Sequence, residues 1–258
     1  MEVLKRLQEE IDKVENIEKI QNIFYKYANK LMNNYYLKIG DLEIELCEIE
    51  FYYYDEDKKH ADCYVHLSEL QQEIGKLYVH NNSNVYNRVG IDLTFGNGKY
   101  YGGILIRGIK DKKTNKFIAG PAKVRQYFEE KLCSNINKDN FDNKETQQCL
   151  NKFSIEIKEN KQNNNILISI REGLSETFKK FTFLLYRYIR EDYLFASPSK
   201  NFNNKLKNIS NLSQIKAISH LCKIYQNDLD SDTKKRLEDI KQNKDLLKNI
   251  QTFKDNLS

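Results

Sequence analysis

The chain has 258 residues, 40% hydrophobic and 31% charged, enough apolar content for one sizeable core. Two prolines, ten glycines and the lack of any long apolar run exclude collagen-like, mucin-like and helix-spanning membrane chains. The formal charge is only +5, and it is unevenly placed: residues 200–258 hold 12 Lys/Arg against 7 Asp/Glu, whereas residues 1–199 hold 30 of each sign.

Residues 2–34 read as helix, because Leu4, Leu7, Ile11, Val14, Ile17, Ile20, Phe24, Tyr27 and Leu31 recur at three- and four-residue steps. Asn16 is a candidate break, and Lys38-Ile39-Gly40-Asp41 marks a turn. Met1 to Arg6 carries no apolar run, so no secretory leader is expected. From Leu42 the period becomes two, with Leu42, Ile44 and Leu46 on one face. An unbroken strand would carry Glu48 and Glu50 onto that core-facing side. A bulge after Cys47 would instead turn Ile49 and Phe51 inward and leave the glutamates in water. Periodicity leaves both open.

Residues 76–80 and 89–95 read as strands, and 103–109 as an apolar strand interrupted by Arg107, a charge that needs a partner. Six of the ten glycines lie between 90 and 108, at spacings that match neither a P-loop nor a dinucleotide fingerprint. They point to tight turns or to backbone approaching a ligand. Gly120-Pro121 opens a helix to about Leu132, with Lys123 and Arg125 as candidate contacts to a nucleic-acid backbone. Residues 134–150 read as loop and short helix, 164–195 as strands, and the stretch after Pro198 as helix. That tail carries the whole positive excess. It is either a solvated helix or an arm for a polyanion, since even a few Lys–phosphate contacts release counterions.

The expected architecture is α+β: a compact, mainly antiparallel sheet core with surrounding helices. It divides into an N-terminal helical segment (1–40), an α+β domain (41–199) and a basic helical extension (200–258). Cys47, Cys63, Cys133, Cys149 and Cys222 are odd in number, widely spaced and without a CxxC pair. A disulfide framework and a zinc ribbon both fit this badly, so reduced thiols and a cytoplasmic monomer are expected. His60, Asp62 and His66 with a glutamate make a metal-ligand combination, but the spacing is not that of a helical zincin motif. No metal and no cofactor are expected.

Several segments, in order, resemble the alkyladenine (3-methyladenine) DNA glycosylase family. Glu48-Ile-Glu50-Phe-Tyr52 is similar to that family's Glu-Thr-Glu-Ala-Tyr strand. Leu77-Tyr-Val-His80 resembles Leu-Tyr-Val-Tyr, and Ile104-Leu-Ile-Arg107-Gly resembles Val-Leu-Leu-Arg-Ala. Gly120-Pro-Ala-Lys-Val matches Gly-Pro-Ser/Ala-Lys-Leu. Arg171-Glu-Gly-Leu and Tyr186-Arg-Tyr-Ile resemble Arg-Val-Gly-Ile and Leu-Arg-Phe-Tyr. The likeness runs over about residues 42–197 and suggests a divergent bacterial branch.

The resemblance implies a monofunctional glycosylase that hydrolyses the N-glycosidic bond of a flipped, alkylated or otherwise modified base in DNA, as in base-excision repair. It implies that Glu50 activates water and that Arg107 helps hold it. It implies that Tyr52 stacks on the base, and that His60, or His66 as fallback, packs on the other side. Three departures stand out. His80 takes the place of a second stacking tyrosine. Asp92 stands at or near a pocket-gating asparagine. The wedge tyrosine has no clear match in the Asn81–Asn84 stretch, Tyr86 being the nearest aromatic. The chemistry suits the residue types, since a carboxylate stabilises the sugar's developing positive charge and accepts a proton from water. Two other readings stay open: a non-catalytic nucleic-acid-binding module of the same fold, and an N-glycoside hydrolase acting on modified phage DNA or another nucleoside, with antiviral defence as a compatible setting. A metal-dependent hydrolase built on His60, Asp62 and His66 is a third.

Overall fold

The N-terminal periodicity resolves into two helices, α1 (Glu2–Asp12) and α2 (Ile17–Asn33). The break is at Asn16, whose side chain caps α2 by accepting the Lys19 N–H at 2.8 Å. Leu4, Leu7 and Ile11 on α1 and Ile20, Phe24, Tyr27 and Leu31 on α2 are buried, as a one-faced apolar stripe requires. The computed structural model describes residues 1–58, 60–80, 89–133, 143–174, 181 and 184–196. Tyr86, the Asn81–Asn84 stretch and the basic extension 200–258 lie outside the described residues.

The stripes pack on one antiparallel sheet. Its strands are β1 (Tyr35–Ile39), β2 (Leu42–Asp55), β3 (His60–Ala61), β4 (Ile74–Val79), β5 (Ile91–Phe95), β6 (Tyr101–Asp111), β7 (Phe117–Ala119), β8 (Ile155–Glu159), β9 (Ile166–Ser169) and β10 (Arg187–Arg190). The main order is β4-β5-β6-β2-β1-β8. The long strand β2 is the spine: β6 runs along one edge, while β1, β10 and β3 share the other in succession. Further helices are α3 (Pro121–Leu132), α4 (Asn143–Leu150) and α5 (Glu191–Ala196). The fold is therefore α+β, as expected.

The structure departs from the sequence reading at the N-terminal segment and at the cysteines. β1 continues directly from α2, where the sequence suggested only a helix end and a turn; it pairs with β2 through a hairpin at Gly40 (φ 56°) and with the unanticipated β8 on its far side. The 1–40 segment is thus not purely helical. The thiol expectation fails at one pair, because Cys133 after α3 and Cys149 on α4 form a disulfide. A single bridge between two short helices leaves no trace in cysteine spacing, which is why the pattern read as reduced. No helix among the described residues is long and apolar enough to cross a membrane.

Candidate functional site

The site begins with two compensating irregularities in the β2–β6 ladder. Leu46 pairs with Ile109 and Glu48 with Gly108, so Cys47 is an extra residue in β2. Ile49 then pairs with Ile106, so Arg107 is an extra residue in β6. Such bulges re-aim side chains without losing the overall register. Ile49 and Phe51 thereby join Leu42, Ile44 and Leu46 in the helix-facing core, where Phe51 stacks on Phe24 with ring centroids 4.4 Å apart. Glu48, Glu50 and Tyr52 project from the opposite face. That face is not water, because Glu48 is 2% and Glu50 0% exposed. The bulge was among the alternatives; the burial of the glutamates behind it was not.

What buries them is an ion network. Arg107 Nε donates to Glu48 Oε1 at 3.0 Å, its Nη1 lies 3.4 Å from Glu50 Oε1, and its Nη2 pairs with Glu172 Oε2. Arg187 donates from Nε and Nη2 to Glu48 Oε1 at 3.0 and 2.7 Å and lies 3.3 Å from Glu172 Oε2. Tyr193 O–H donates to Glu48 Oε2 at 3.2 Å, and Tyr52 O–H to Glu50 Oε2 at 2.9 Å. The main-chain N–H of Glu172 donates to Glu50 Oε1 at 2.8 Å. Burial alone would lower the Arg107 pKa, but Glu50, Glu48 and Glu172 outweigh it and hold the guanidinium firmly charged. Burial, then the Glu50 charge, pushes the Tyr52 phenol well above its ordinary value, so it remains a donor. Among the described residues the cluster joins three carboxylates to two guanidiniums, a formal charge of −1 in a desolvated setting.

Above this cluster lies a cavity of about 280 Å³, near the lower end of the roughly 300–1,000 Å³ usual for small-molecule sites. Tyr52, Tyr64, His66 and His80 contribute rings to its wall, and Arg107 and Glu172 contribute charges. The Tyr52 ring is backed by the Arg171 guanidinium at 4.5 Å. Arg171 is itself locked by Asp62 at 2.5 and 3.2 Å and by the Phe181 carbonyl. On another wall His80 Nε2–H donates to Asp92 Oδ1 at 2.6 Å, and Gln71 Nε2–H to Asp92 Oδ2 at 3.1 Å. A Cβ on Gly103 would come within 2.6 Å of Asp92 Oδ2, which accounts for one glycine of the cluster as a close approach. Pro121 and Ala122 bring the start of α3 to the rim, while Lys123 beside them is exposed.

The structure thus gathers Arg107, Tyr52, His66, His80 and Asp92 around one cavity, with Glu50 directly beneath Tyr52 and Glu172 rather than on the lining. It does not bring His60 there. His60 is fully buried, donates Nδ1–H to the Tyr53 carbonyl at 2.9 Å and accepts the Tyr186 hydroxyl at Nε2 at 2.8 Å. Burial pushes its pKa down to about 4, so it is a neutral structural imidazole. With Asp62 committed to Arg171 as well, the His60–Asp62–His66 trio does not converge, and no metal-ligand group occurs among the described residues. Arg125 is buried between α3 and α4, donating to Glu129 at 2.8 Å and Asn143 at 2.5 Å, so it is not placed to meet a phosphate.

Reading the sequence alone assigned no role to Glu48, Arg187, Glu172 or Gln71. For Arg187 a signal existed, since it interrupts the apolar run Leu184-Leu185-Tyr186-Arg187-Tyr188-Ile189, much as Arg107 interrupts its own. No protein-family model matches the chain. Over 215 residues it is 30% identical to a protein of Acanthamoeba polyphaga mimivirus named "Uncharacterized protein L759", a match covering 74% of this chain and 94% of the viral one.

Proposed function

The chain belongs to the same family as the mimivirus protein L759, and for this family member we propose hydrolysis of an N-glycosidic bond: removal of a modified base from DNA, with water activated by a glutamate of the buried cluster. The observation that supports this reading is the pairing of a base-sized, ring-walled cavity with a dry carboxylate–guanidinium cluster of net charge −1. As the base leaves, the sugar gains positive charge, and a fixed negative cluster in a low-dielectric site favours that state over the ground state. A tyrosine face backed by arginine suits a stacked base, a contact worth about 1–3 kcal/mol in nucleic-acid binders. No step in this chemistry needs a metal or organic cofactor. The reading agrees with the glycosylase resemblance, which assigns the base role to Glu50.

The test is a panel of oligonucleotides, each with one methylated, deaminated or hypermodified base, in single- and double-stranded form. Hydrolysis leaves an abasic site, scored as an alkali-labile break. Breaks on at least one substrate, unaffected by EDTA, support the reading. Binding without breaks on every substrate would instead indicate a nucleic-acid-binding module, and breaks that vanish with EDTA would indicate a metal-dependent hydrolase.

A further inference from the structure

We infer that Glu172, rather than Glu50, takes the proton from the attacking water, an assignment that rests on the N-glycoside reading above. The three glutamates of the cluster differ in what their oxygens have left to do. Glu50 is fully buried and absent from the cavity lining. Its Oε1 accepts the Glu172 N–H at 2.8 Å and faces Arg107 at 3.4 Å, while Oε2 accepts the Tyr52 hydroxyl at 2.9 Å. Glu48 sits deeper, with Oε1 holding both arginines and Oε2 accepting from Tyr193. Only Glu172 of the three lines the cavity, with its side chain 28% exposed.

The carboxylate of Glu172 is also fixed in place. Oε2 is clamped by Arg107 and Arg187, whereas Oε1 has no hydrogen-bond donor among the described residues. The turn that carries it is held on one side by the Arg171–Asp62 pair and on the other by Gly173, whose φ of 73° disfavours any other residue. An anchored carboxylate with one oxygen that accepts no hydrogen bond among the described residues, on a residue lining a ring-walled cavity, is what general-base catalysis asks for. Glu48 and Glu50 are then positioning residues that hold the guanidiniums and the Tyr52 hydroxyl.

The water oxygen bonds to the sugar C1′, and the C1′–N bond breaks with its electron pair passing to the base nitrogen. One water proton goes to Glu172 Oε1, and that proton is afterwards delivered to the departed base, restoring the carboxylate.

The experiment compares wild type, Glu172→Gln, Glu172→Asp and Glu50→Gln in single-turnover assays on the substrate that wild type cleaves, with binding measured on the same DNA and folding checked by thermal melting. Expected is a fall of about 100-fold or more in the Glu172→Gln rate with affinity retained, and partial recovery in Glu172→Asp. Wild-type rate in Glu172→Gln with an inactive Glu50→Gln overturns the assignment while leaving the function intact. Equal losses of rate and affinity in Glu172→Gln also overturn it, since Glu172 would then only shape the cavity. No cleavage of any substrate by wild type sinks the reading and this assignment together.

Discussion

Arg187 on β10 is the cross-strand partner of Glu50 on β2, yet its guanidinium donates to Glu48, two residues away, and passes Glu50 Oε1 at 3.9 Å. The diagonal contact makes Arg187 the brace between the two strands and the 171–174 turn. It is fully buried, and its Nη1 has no hydrogen-bond partner among the described residues. Removing one partner of such a pair leaves an uncompensated charge in the interior, at about 3–5 kcal/mol. Arg187→Met should therefore lower stability by about that amount in urea denaturation, because the Glu48 carboxylate loses one of the two guanidiniums that hold its Oε1. Glu48→Gln in the Arg187→Met background should cost much less than Glu48→Gln alone. Strictly additive losses would show that the contact is not energetically coupled.

His60 gives a pH signature that belongs to the fold and not to the cavity. Its folded pKa of about 4 lies below the ordinary value near 6.5 because burial penalises the imidazolium. Between these values the unfolded chain binds a proton that the folded chain refuses, so stability rises with pH across that window. The contribution is fully present above about pH 6.5 and is lost as pH falls through about 4, on the order of 3 kcal/mol in all. Denaturant titrations of wild type and His60→Gln from pH 4 to 7 should show a difference that shrinks toward the acid end. A constant difference would mean that His60 titrates alike in both states.

Much of the fold is legible where one period holds over ten residues or more, as in α1, α2 and α3, or where a strand is bounded by turn residues, as in β5 and β6. β1 and β8 are not legible for a physical reason. Five residues give a period of two little room, and the pairing of β1 with β8 spans more than a hundred residues. The site shows the same division. Arg107 announced itself as a charge in an apolar strand, whereas Tyr52 and Asp92 were marked only through the glycosylase resemblance. The meeting of Glu172 with Glu50 spans 122 residues. Nothing within Arg171-Glu172-Gly173 says that its glutamate turns toward β2. His60 misled because a histidine near an acidic strand looks functional until its two ring nitrogens are seen to be spent on Tyr53 and Tyr186.

The Cys133–Cys149 bridge should carry measurable stability. It closes a loop of 16 residues between α3 and α4, for which chain-entropy reasoning gives about 3 kcal/mol. Cys149→Ser should lower the melting temperature, and reductant should lower that of wild type but not of the variant. Identical melting with and without reductant would mean that the bridge does not form in solution.

The Asp92 carboxylate decides the tautomer of His80. Gln71 cannot turn its amide round, because its Oε1 accepts the Ser68 N–H at 3.2 Å, so its Nε2 must donate to Asp92. His80 meets the other oxygen at 2.6 Å, so it must donate from Nε2. An asparagine, which the glycosylase resemblance sets at or near this position, has one oxygen for these two donors. In Asp92→Asn the oxygen goes to the fixed Gln71, the new NH₂ faces His80, and the imidazole must accept at Nε2 and carry its proton on Nδ1. Side-chain ¹⁵N shifts of His80 at mildly alkaline pH should move from the Nε2–H to the Nδ1–H pattern, with the fold retained because the change is nearly isosteric. A variant that keeps the Nε2–H pattern would place two donors face to face and should lose about 1–3 kcal/mol of stability. Neither change would mean that Asp92 does not bridge Gln71 and His80. The cavity wall is therefore written for a carboxylate at 92, and its pattern of donors and acceptors changes with that single atom.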